Sequence, residues 1–184
     1  MRIVGGDFSG RRLSAPHSDA IRPTSDRARE SLFNVLEHAY AGSLEGARVL
    51  DLFAGSGAVG LEAMSRGAAF CLFVEQAAAA RALVRRNVES LGLAGRTKIF
   101  RRDAAHLGAV GTMQPFQLVF ADPPYGRGLG EKAISAALSG GWLAEDALIV
   151  VEEAAASPFQ PPEGIVLHEL RSHSGTTLAF CGLG

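Results

Sequence analysis

The stretch that decides the fold is Asp51-Leu52-Phe53-Ala54-Gly55-Ser56-Gly57-Ala58-Val59-Gly60. It follows an apolar run that begins at Val49, and it leads into a helical pattern over 58–66. A G-x-G-x-x-G turn between a strand and a helix is typical of a cofactor site, because glycines let the backbone approach a ligand at a helix N-terminus. A tight turn without a ligand is the alternative interpretation.

Strand and helix patterns alternate outward from this turn. Apolar runs predict parallel strands at 49–53, 69–74, 98–101, 116–121 and 147–152. Helical periodicity predicts helices at 58–66, 77–91 and 130–138. Two final antiparallel strands are predicted at 165–170 and 176–181. Repeated βαβ units predict an α/β fold with a doubly wound sheet and right-handed crossovers.

The first 40 residues come before this alternation. Strand-like residues at 2–4 and 11–13, with glycines between them, predict a β-hairpin. A helix is predicted to begin after Thr24-Ser25-Asp26, which supplies possible N-caps. We expect residues 1–40 to form an N-terminal extension of hairpin and helix, and residues 41–184 to form the main domain.

The bulk composition is that of an ordinary globular chain with one sizeable core. The net charge of -1 gives no overall sign of nucleic-acid binding. Residues 81–103, however, hold seven basic side chains against two acidic ones, while residues 104–184 hold three against eight. This uneven distribution fits either a basic binding face or a merely solvated helix. Cys71 and Cys181 lie in apolar runs and are predicted to be core residues.

The sequence shows neither a signal peptide nor an apolar run long enough to cross a membrane. We therefore expect a cytoplasmic protein without a membrane partner, and we expect a monomer. The histidines have no metal-ligand spacing, so no metal site is predicted.

Acidic residues follow the first three predicted strands, at the sheet edge where doubly wound proteins bind ligands. Glu75 is placed to accept hydrogen bonds from the ribose of an adenosine, and Asp103 to meet an adenine amino group. Asp51 can accept N–H groups of the turn or face a cation. S-adenosylmethionine carries a cationic sulfonium and no phosphate, so these acids favour it over a dinucleotide, which stays the alternative. The predicted cofactor-binding residues are Asp51, Phe53, Ala54, Gly55, Ser56, Gly57, Glu75, Asp103, Ala104 and Asp122.

Asp122-Pro123-Pro124-Tyr125 follows the fourth predicted strand. Each proline fixes its own φ and holds the residue before it extended, so this turn is stiff. The Asp122 carboxylate and the Pro123 carbonyl can accept hydrogen bonds from a base amine, and Tyr125 can stack on the base. We predict that Asp122, Pro123 and Tyr125 are catalytic residues for methyl transfer to an exocyclic nitrogen. An ordinary proline turn with a surface tyrosine is the alternative.

The chain also resembles a known family, through motifs that run almost end to end. These are Ile3-Val4-Gly5-Gly6, Gly10-Arg11-Arg12-Leu13, Arg22-Pro23-Thr24-Ser25-Asp26-Arg27-Ala28-Arg29-Glu30-Ser31-Leu32-Phe33-Asn34, residues 51–63, Asp122-Pro123-Pro124-Tyr125 and Gly141-Trp142-Leu143. They are similar to bacterial methyltransferases of guanine N2 in small-subunit ribosomal RNA, the RsmD-like group. The resemblance implies a Rossmann-like class I methyltransferase sheet, S-adenosyl-L-methionine as donor, and 16S rRNA in an assembled or assembling small subunit as partner.

An RNA surface is a further expectation. Arg11, Arg12, Arg22 and Arg27 are the candidate phosphate contacts on the N-terminal extension, although helix bracing is an equal alternative for Arg27 and Arg29. Four other functions stay open from the residues: an adenine-N6 methyltransferase, a protein-glutamine methyltransferase, a nicotinamide oxidoreductase and a non-catalytic RNA-binding module.

Overall fold

The computed structural model describes residues 1–17 and 24–184. In chain order the elements are α1 (Asp26–Ala39), β1 (Arg48–Leu52), α2 (Ala58–Ser65), β2 (Phe70–Val74), α3 (Ala78–Ser90), β3 (Thr97–Phe100), β4 (Phe116–Ala121), α4 (Leu129–Ser139), β5 (Leu143–Ala154), β6 (Ile165–His173) and β7 (Thr176–Leu183). Short 3₁₀ turns lie at Ala94–Arg96 and Ala104–His106. The predicted order of elements is therefore confirmed.

The strands form one sheet in the order β3-β2-β1-β4-β5-β7-β6. Strands β1 to β5 run parallel, and β7 pairs antiparallel with both β5 and β6. Predicted and observed strand ends agree within two residues, except that β5 begins four residues early and the final hairpin is longer. The alternating α and β elements and this sheet confirm the predicted doubly wound, Rossmann-like fold.

Two apolar layers sandwich the sheet, because side chains alternate between its faces. On one face α1, α2 and α3 cover Phe120 and Val150, and Phe33 of α1 lies within 5.8 Å of Phe120 between ring centroids. On the other face α4 packs over Val119 and Ile149. Cys71 and Cys181 are buried and free, which confirms their prediction as core residues.

The paired part of the N-terminal hairpin is shorter than the predicted strands at 2–4 and 11–13. Its ladder is reduced to one bridge between Arg2 and Arg12, with Ile3 N–H donating to the Arg11 carbonyl at 2.9 Å. The segment is held instead by α2: Val4 and Gly5 donate backbone N–H groups to the Glu62 carboxylate at 2.9 and 2.8 Å. The extension thus packs into the same hydrophobic core as the sheet. The domain boundary at residue 40 stays a prediction.

A buried ionic cluster joins α1 to α2 beneath this segment. Arg29 and Glu62 both have fully buried side chains, with 3.6 Å between Arg29 Nε and Glu62 Oε2. Arg66 Nε lies 2.9 Å from Glu62 Oε1. Arg29 also donates to the carbonyls of Thr24, at 3.0 Å, and Arg2. Arg29 therefore braces the helix and does not face solvent.

Among residues 1–17 and 24–184, the helices are all too short or too polar to cross a bilayer.

Candidate active site

The end of β1 places Asp51 in the floor of the site. Asp51 Oδ2 accepts the Gly60 N–H at 3.0 Å, so the acid ties the strand to the first turn of α2. Burial raises the pKa of the Asp51 carboxyl well above its ordinary value, and the nearby Asp122 and Glu75 add to the rise. Two roles were possible for Asp51 from the sequence, and the structure shows the first of them, acceptance of an N–H group of the glycine motif.

The glycine turn brings backbone and helix together at close range. Gly57 is the N-cap of α2 and has φ of 79°, a conformation that disfavours other residues. At Gly60 a Cβ atom would lie 2.5 Å from the Phe73 ring and 2.7 Å from Cys71 Sγ, so only glycine lets α2 pack on β2. Phe53 also has positive φ, at 59°. The turn is therefore built for close approach.

Glu75 and Asp103 follow β2 and β3 at the same edge of the sheet. Glu75 accepts N–H groups from Gly55 at 2.9 Å and Ala77 at 2.8 Å, and its two oxygens keep further acceptor capacity. Asp103 accepts the Ala105 N–H and lies 2.9 Å from His106 Nδ1. The His106 and Ala105 contacts lower the pKa of Asp103 below its ordinary value, which keeps the group ionised.

These acids line one large cleft of about 680 Å³ at the carboxyl ends of the strands. The cleft contains the following predicted cofactor residues: Asp51, Phe53, Ala54, Gly55, Ser56, Glu75, Asp103, Ala104 and Asp122. Gly57 is buried behind its wall and acts through the backbone of the turn. The structure thus brings together nine of the ten predicted residues around one space.

The Asp122-Pro123-Pro124-Tyr125 turn leaves β4 beside this cleft and is held from β5. The Tyr125 hydroxyl donates to Glu152 Oε1 at 2.8 Å, and the Gly126 N–H donates to Glu153 Oε1 at 3.0 Å. Thr24 Oγ1 makes a long hydrogen bond of 3.5 Å to Asp122 Oδ2. Backbone stiffness and these contacts together fix the turn.

A second space, the side groove of about 330 Å³, opens between the start of α1 and the β6–β7 turn. Its lining includes Arg27, Glu152 and His173. Thr24, Asp122 and Tyr125 line both the side groove and the large cleft. Two compartments therefore meet at Asp122 and Tyr125, two of the three residues predicted to be catalytic, whereas Pro123 lines the large cleft alone.

The predicted RNA contacts fall in different places. Arg27 is exposed and lines the side groove. Arg11 and Arg12 are exposed on the N-terminal segment, where Arg11 Nη2 donates to the Ser90 carbonyl at the end of α3, at 2.7 Å. Neither lines the cleft or the groove. Arg22 lies outside the described residues.

Sequence reasoning missed three residues of this region. The sequence predicts Thr24 only as a helix cap and Glu152 only as a strand residue, and it predicts no role for His173. Glu152 is the last residue of the predicted strand 147–152, so the strand-end rule that identified Asp122 also identifies it, although β5 continues to Ala154. In the part of the chain that is described, no three acidic, cysteine or histidine side chains are grouped to hold a metal ion.

Almost the whole chain matches a known family. A family model described as Conserved hypothetical protein 95 matches residues 1–182. The chain belongs to this family. It is 44% identical over 153 residues, 83% of this chain and 74% of the relative, to ribosomal RNA small subunit methyltransferase D of Escherichia coli strain K12. The homologue of that name from Haemophilus influenzae is 34% identical over 169 residues, 91% of this chain and 86% of the relative.

A solved structure agrees with the family. The Escherichia coli protein yhhF superposes with a TM-score of 0.82 at 35% identity, covering 98% of this chain and 96% of that one. The predicted resemblance to RsmD-like methyltransferases is therefore confirmed.

Proposed function

We propose that this protein transfers a methyl group from S-adenosyl-L-methionine to the exocyclic N2 amine of a guanine in 16S rRNA of the small ribosomal subunit. One observation carries the proposal: the large cleft and the side groove meet at Thr24, Asp122 and Tyr125. A donor in the cleft and a base in the groove would then touch at one point. The names of the relatives in the family support the reaction and the class of RNA.

The large cleft fits the donor by its charge and its backbone. S-adenosylmethionine supplies a methyl group activated by a sulfonium sulfur. We assign the ribose hydroxyls to Glu75 and the adenine amino group to Asp103, while the turn at 53–57 lies against the donor. The carboxylates of Glu75, Asp103 and Asp122 line the cleft, and negative charge there favours a cationic donor over a pyrophosphate.

Asp122 and Pro123 are assigned to the amine. The lone pair of a guanine amine is delocalised into the ring, so the nitrogen attacks poorly. Hydrogen bonds from its two N–H groups to the Asp122 carboxylate and the Pro123 carbonyl favour the geometry in which nitrogen recovers that pair. Holding this nitrogen in line with the methyl carbon is catalysis by positioning, and it requires no nucleophilic side chain.

Tyr125 is assigned to stacking on the base. Stacking on an aromatic ring contributes about 1–3 kcal/mol per base. The hydrogen bond from its hydroxyl to Glu152 fixes the ring, so less side-chain freedom is lost on binding. The base reaches the side groove only when it lies in a loop or is flipped out of a helix. Both compartments come from one chain, and we propose that it acts as a monomer on the assembled or assembling subunit.

Glu75→Ala is expected to weaken donor binding by at least about tenfold, because both ribose hydrogen bonds to a charged acceptor are lost. Isothermal calorimetry with S-adenosylmethionine measures the change. Glu89→Ala, at an exposed acid of α3, is the matched control and should bind normally. An unchanged affinity in Glu75→Ala would contradict the ribose assignment.

Arg27→Ala and the double variant Arg11→Ala/Arg12→Ala are expected to reduce the salt dependence of RNA binding. Each lost phosphate contact lowers the slope of log affinity against log salt by roughly one. Filter binding to small subunits from 50 to 200 mM salt gives the slope. A slope equal to that of the wild type would remove those residues from the interface, and Arg171→Ala serves as an exposed arginine control.

The reaction itself is tested with methyl-tritiated donor and small subunits from a strain that lacks this protein. Nucleoside analysis of the extracted rRNA should give labelled N2-methylguanosine and no labelled N6-methyladenosine. Label on adenine, or no label, would overturn the proposal.

A further inference from the structure

We propose that Glu152 is a specificity-determining residue that accepts the N1–H of the target guanine, so that the side groove distinguishes guanine from purines without that proton. The inference rests on the function proposed above and assigns a role to an acid that the sequence did not single out.

Strand register brings Glu152 beside Asp122. Ala121 of β4 pairs with Val151 of β5 in parallel register, so Asp122 and Glu152 each follow a paired residue. Neighbouring strands lie about 4.8 Å apart, so the two residues are neighbours at the same sheet edge.

The two carboxylates also share a face. Phe120 and Val150 belong to the apolar layer under α1, whereas Ala121 and Val151 belong to the opposite layer. Side chains alternate along a strand, so the next residue, Glu152, returns to the face of α1, and Asp122 is held extended before Pro123. Both residues line the side groove. The groove thus presents two adjacent acidic acceptors.

Guanine has the complementary edge. Its N1–H and N2 amine are adjacent donors, whereas N1 of adenine or 2,6-diaminopurine is an acceptor that a carboxylate repels. Because Asp122 is assigned to the N2 amine, the neighbouring acceptor, Glu152, is assigned to the N1–H. A base-edge contact of this kind discriminates between bases by roughly tenfold to a hundredfold.

Glu152 is also held in place. Its Oε1 accepts the Tyr125 hydroxyl at 2.8 Å, so one contact fixes both the stacking ring and the acid. The next acid, Glu153, is buried and accepts the N–H groups of Gly126 and Ala154, each at 3.0 Å. Glu153 therefore holds the backbone, and Glu152 is the one of the pair that lines the groove.

The test compares kcat/KM on small subunits reassembled with either guanine or 2,6-diaminopurine at the modified position. Both bases carry the N2 amine, but only guanine has the N1 proton. The wild type is expected to prefer guanine by at least about tenfold. Glu152→Gln should lower the guanine rate and reduce this preference at least about tenfold, because its amide can donate to an unprotonated N1. Glu163→Gln, at an exposed loop acid, is the matched control.

Glu152→Gln keeps an oxygen for the Tyr125 hydroxyl, so donor affinity and thermal unfolding should stay at wild-type values. Tyr125→Phe removes the hydroxyl that holds Glu152 but leaves the carboxylate in the groove, so the preference for guanine should fall less than in Glu152→Gln. An equal loss on both substrates in Glu152→Gln would overturn the proposal, since Glu152 would then only position Tyr125. A wild type that fails to distinguish the two bases would overturn it without any variant.

The two proposals fail differently. If the wild type puts no methyl group on guanine N2, the proposed function itself is wrong. If it does so and Glu152→Gln leaves the preference unchanged, only the role of Glu152 is wrong.

Discussion

Asp122→Ala is expected to reduce methyl transfer to small-subunit rRNA by about 10²- to 10³-fold, as is typical when a preorganised polar group at the reacting atom is removed. The substitution deletes the acceptor that orients the amine at the junction of the two compartments. Donor affinity should stay within a few-fold, because Glu75, Asp103 and the glycine turn remain. Single-turnover assays give the rate, and calorimetry gives the affinity.

Two further variants sharpen this result. Asp122→Asn keeps one acceptor oxygen and loses the charge, so its rate should fall between those of Asp122→Ala and the wild type. Asp146→Ala, at an exposed acid remote from the cleft lining, should keep full activity. A wild-type rate in Asp122→Ala would show that the amine is held by another group.

Glu62→Ala is expected to lower the free energy of unfolding by about 3–5 kcal/mol, the usual cost of breaking a buried ion pair. Arg29 would stay fully buried with only Asp26, 2.8 Å from its Nη2, as a carboxylate partner, and the N–H groups of Val4 and Gly5 would lose their acceptor. Urea unfolding followed by circular dichroism measures the change.

The matched control lies on the same cluster. Glu37 pairs with Arg66 Nη1 at 2.8 Å, but its side chain is 43% exposed, so Glu37→Ala should cost no more than about 1 kcal/mol. Equal losses in the two variants would contradict a special role for the buried pair. Glu62→Gln, which keeps acceptors without charge, should lie between them.

Periodicity was enough to predict the sheet. The run at 69–74 is apolar throughout, and the runs at 49–53 and 116–121 contain one polar residue each, because parallel strands are covered on both faces; this signal is local. The strand pairing of the N-terminal hairpin is shorter than predicted, because Val4 and Gly5 donate their N–H groups to Glu62, more than fifty residues away. No local pattern contains that contact.

The site shows the same division between local and distant signals. Asp51, Glu75, Asp103 and Asp122 could be predicted because strand ends of a doubly wound sheet converge at one edge. Arg27 and Arg29 have the same charge and lie two positions apart on α1, yet one is exposed and the other is fully buried. Their environments differ because Arg29 lies on the face of α1 that packs against α2 and Arg27 does not. The composition of the chain does not predict which face of α1 is buried. The side groove could not be predicted, because one of its walls is the β6–β7 turn, whose position depends on tertiary structure.

Two residues at the end of β1, Asp51 and Phe53, limit how far the stability of this protein can be raised without a loss of function. Phe53 adopts a backbone conformation that costs a side-chain-bearing residue on the order of 1 kcal/mol, and Asp51 has a raised pKa because it is buried. A folded pKa above the ordinary 3.8 means that the ionised acid opposes folding at neutral pH, and that this penalty fades as the pH falls toward 3.8. Thermostable variants selected at these two positions should therefore trade away donor affinity.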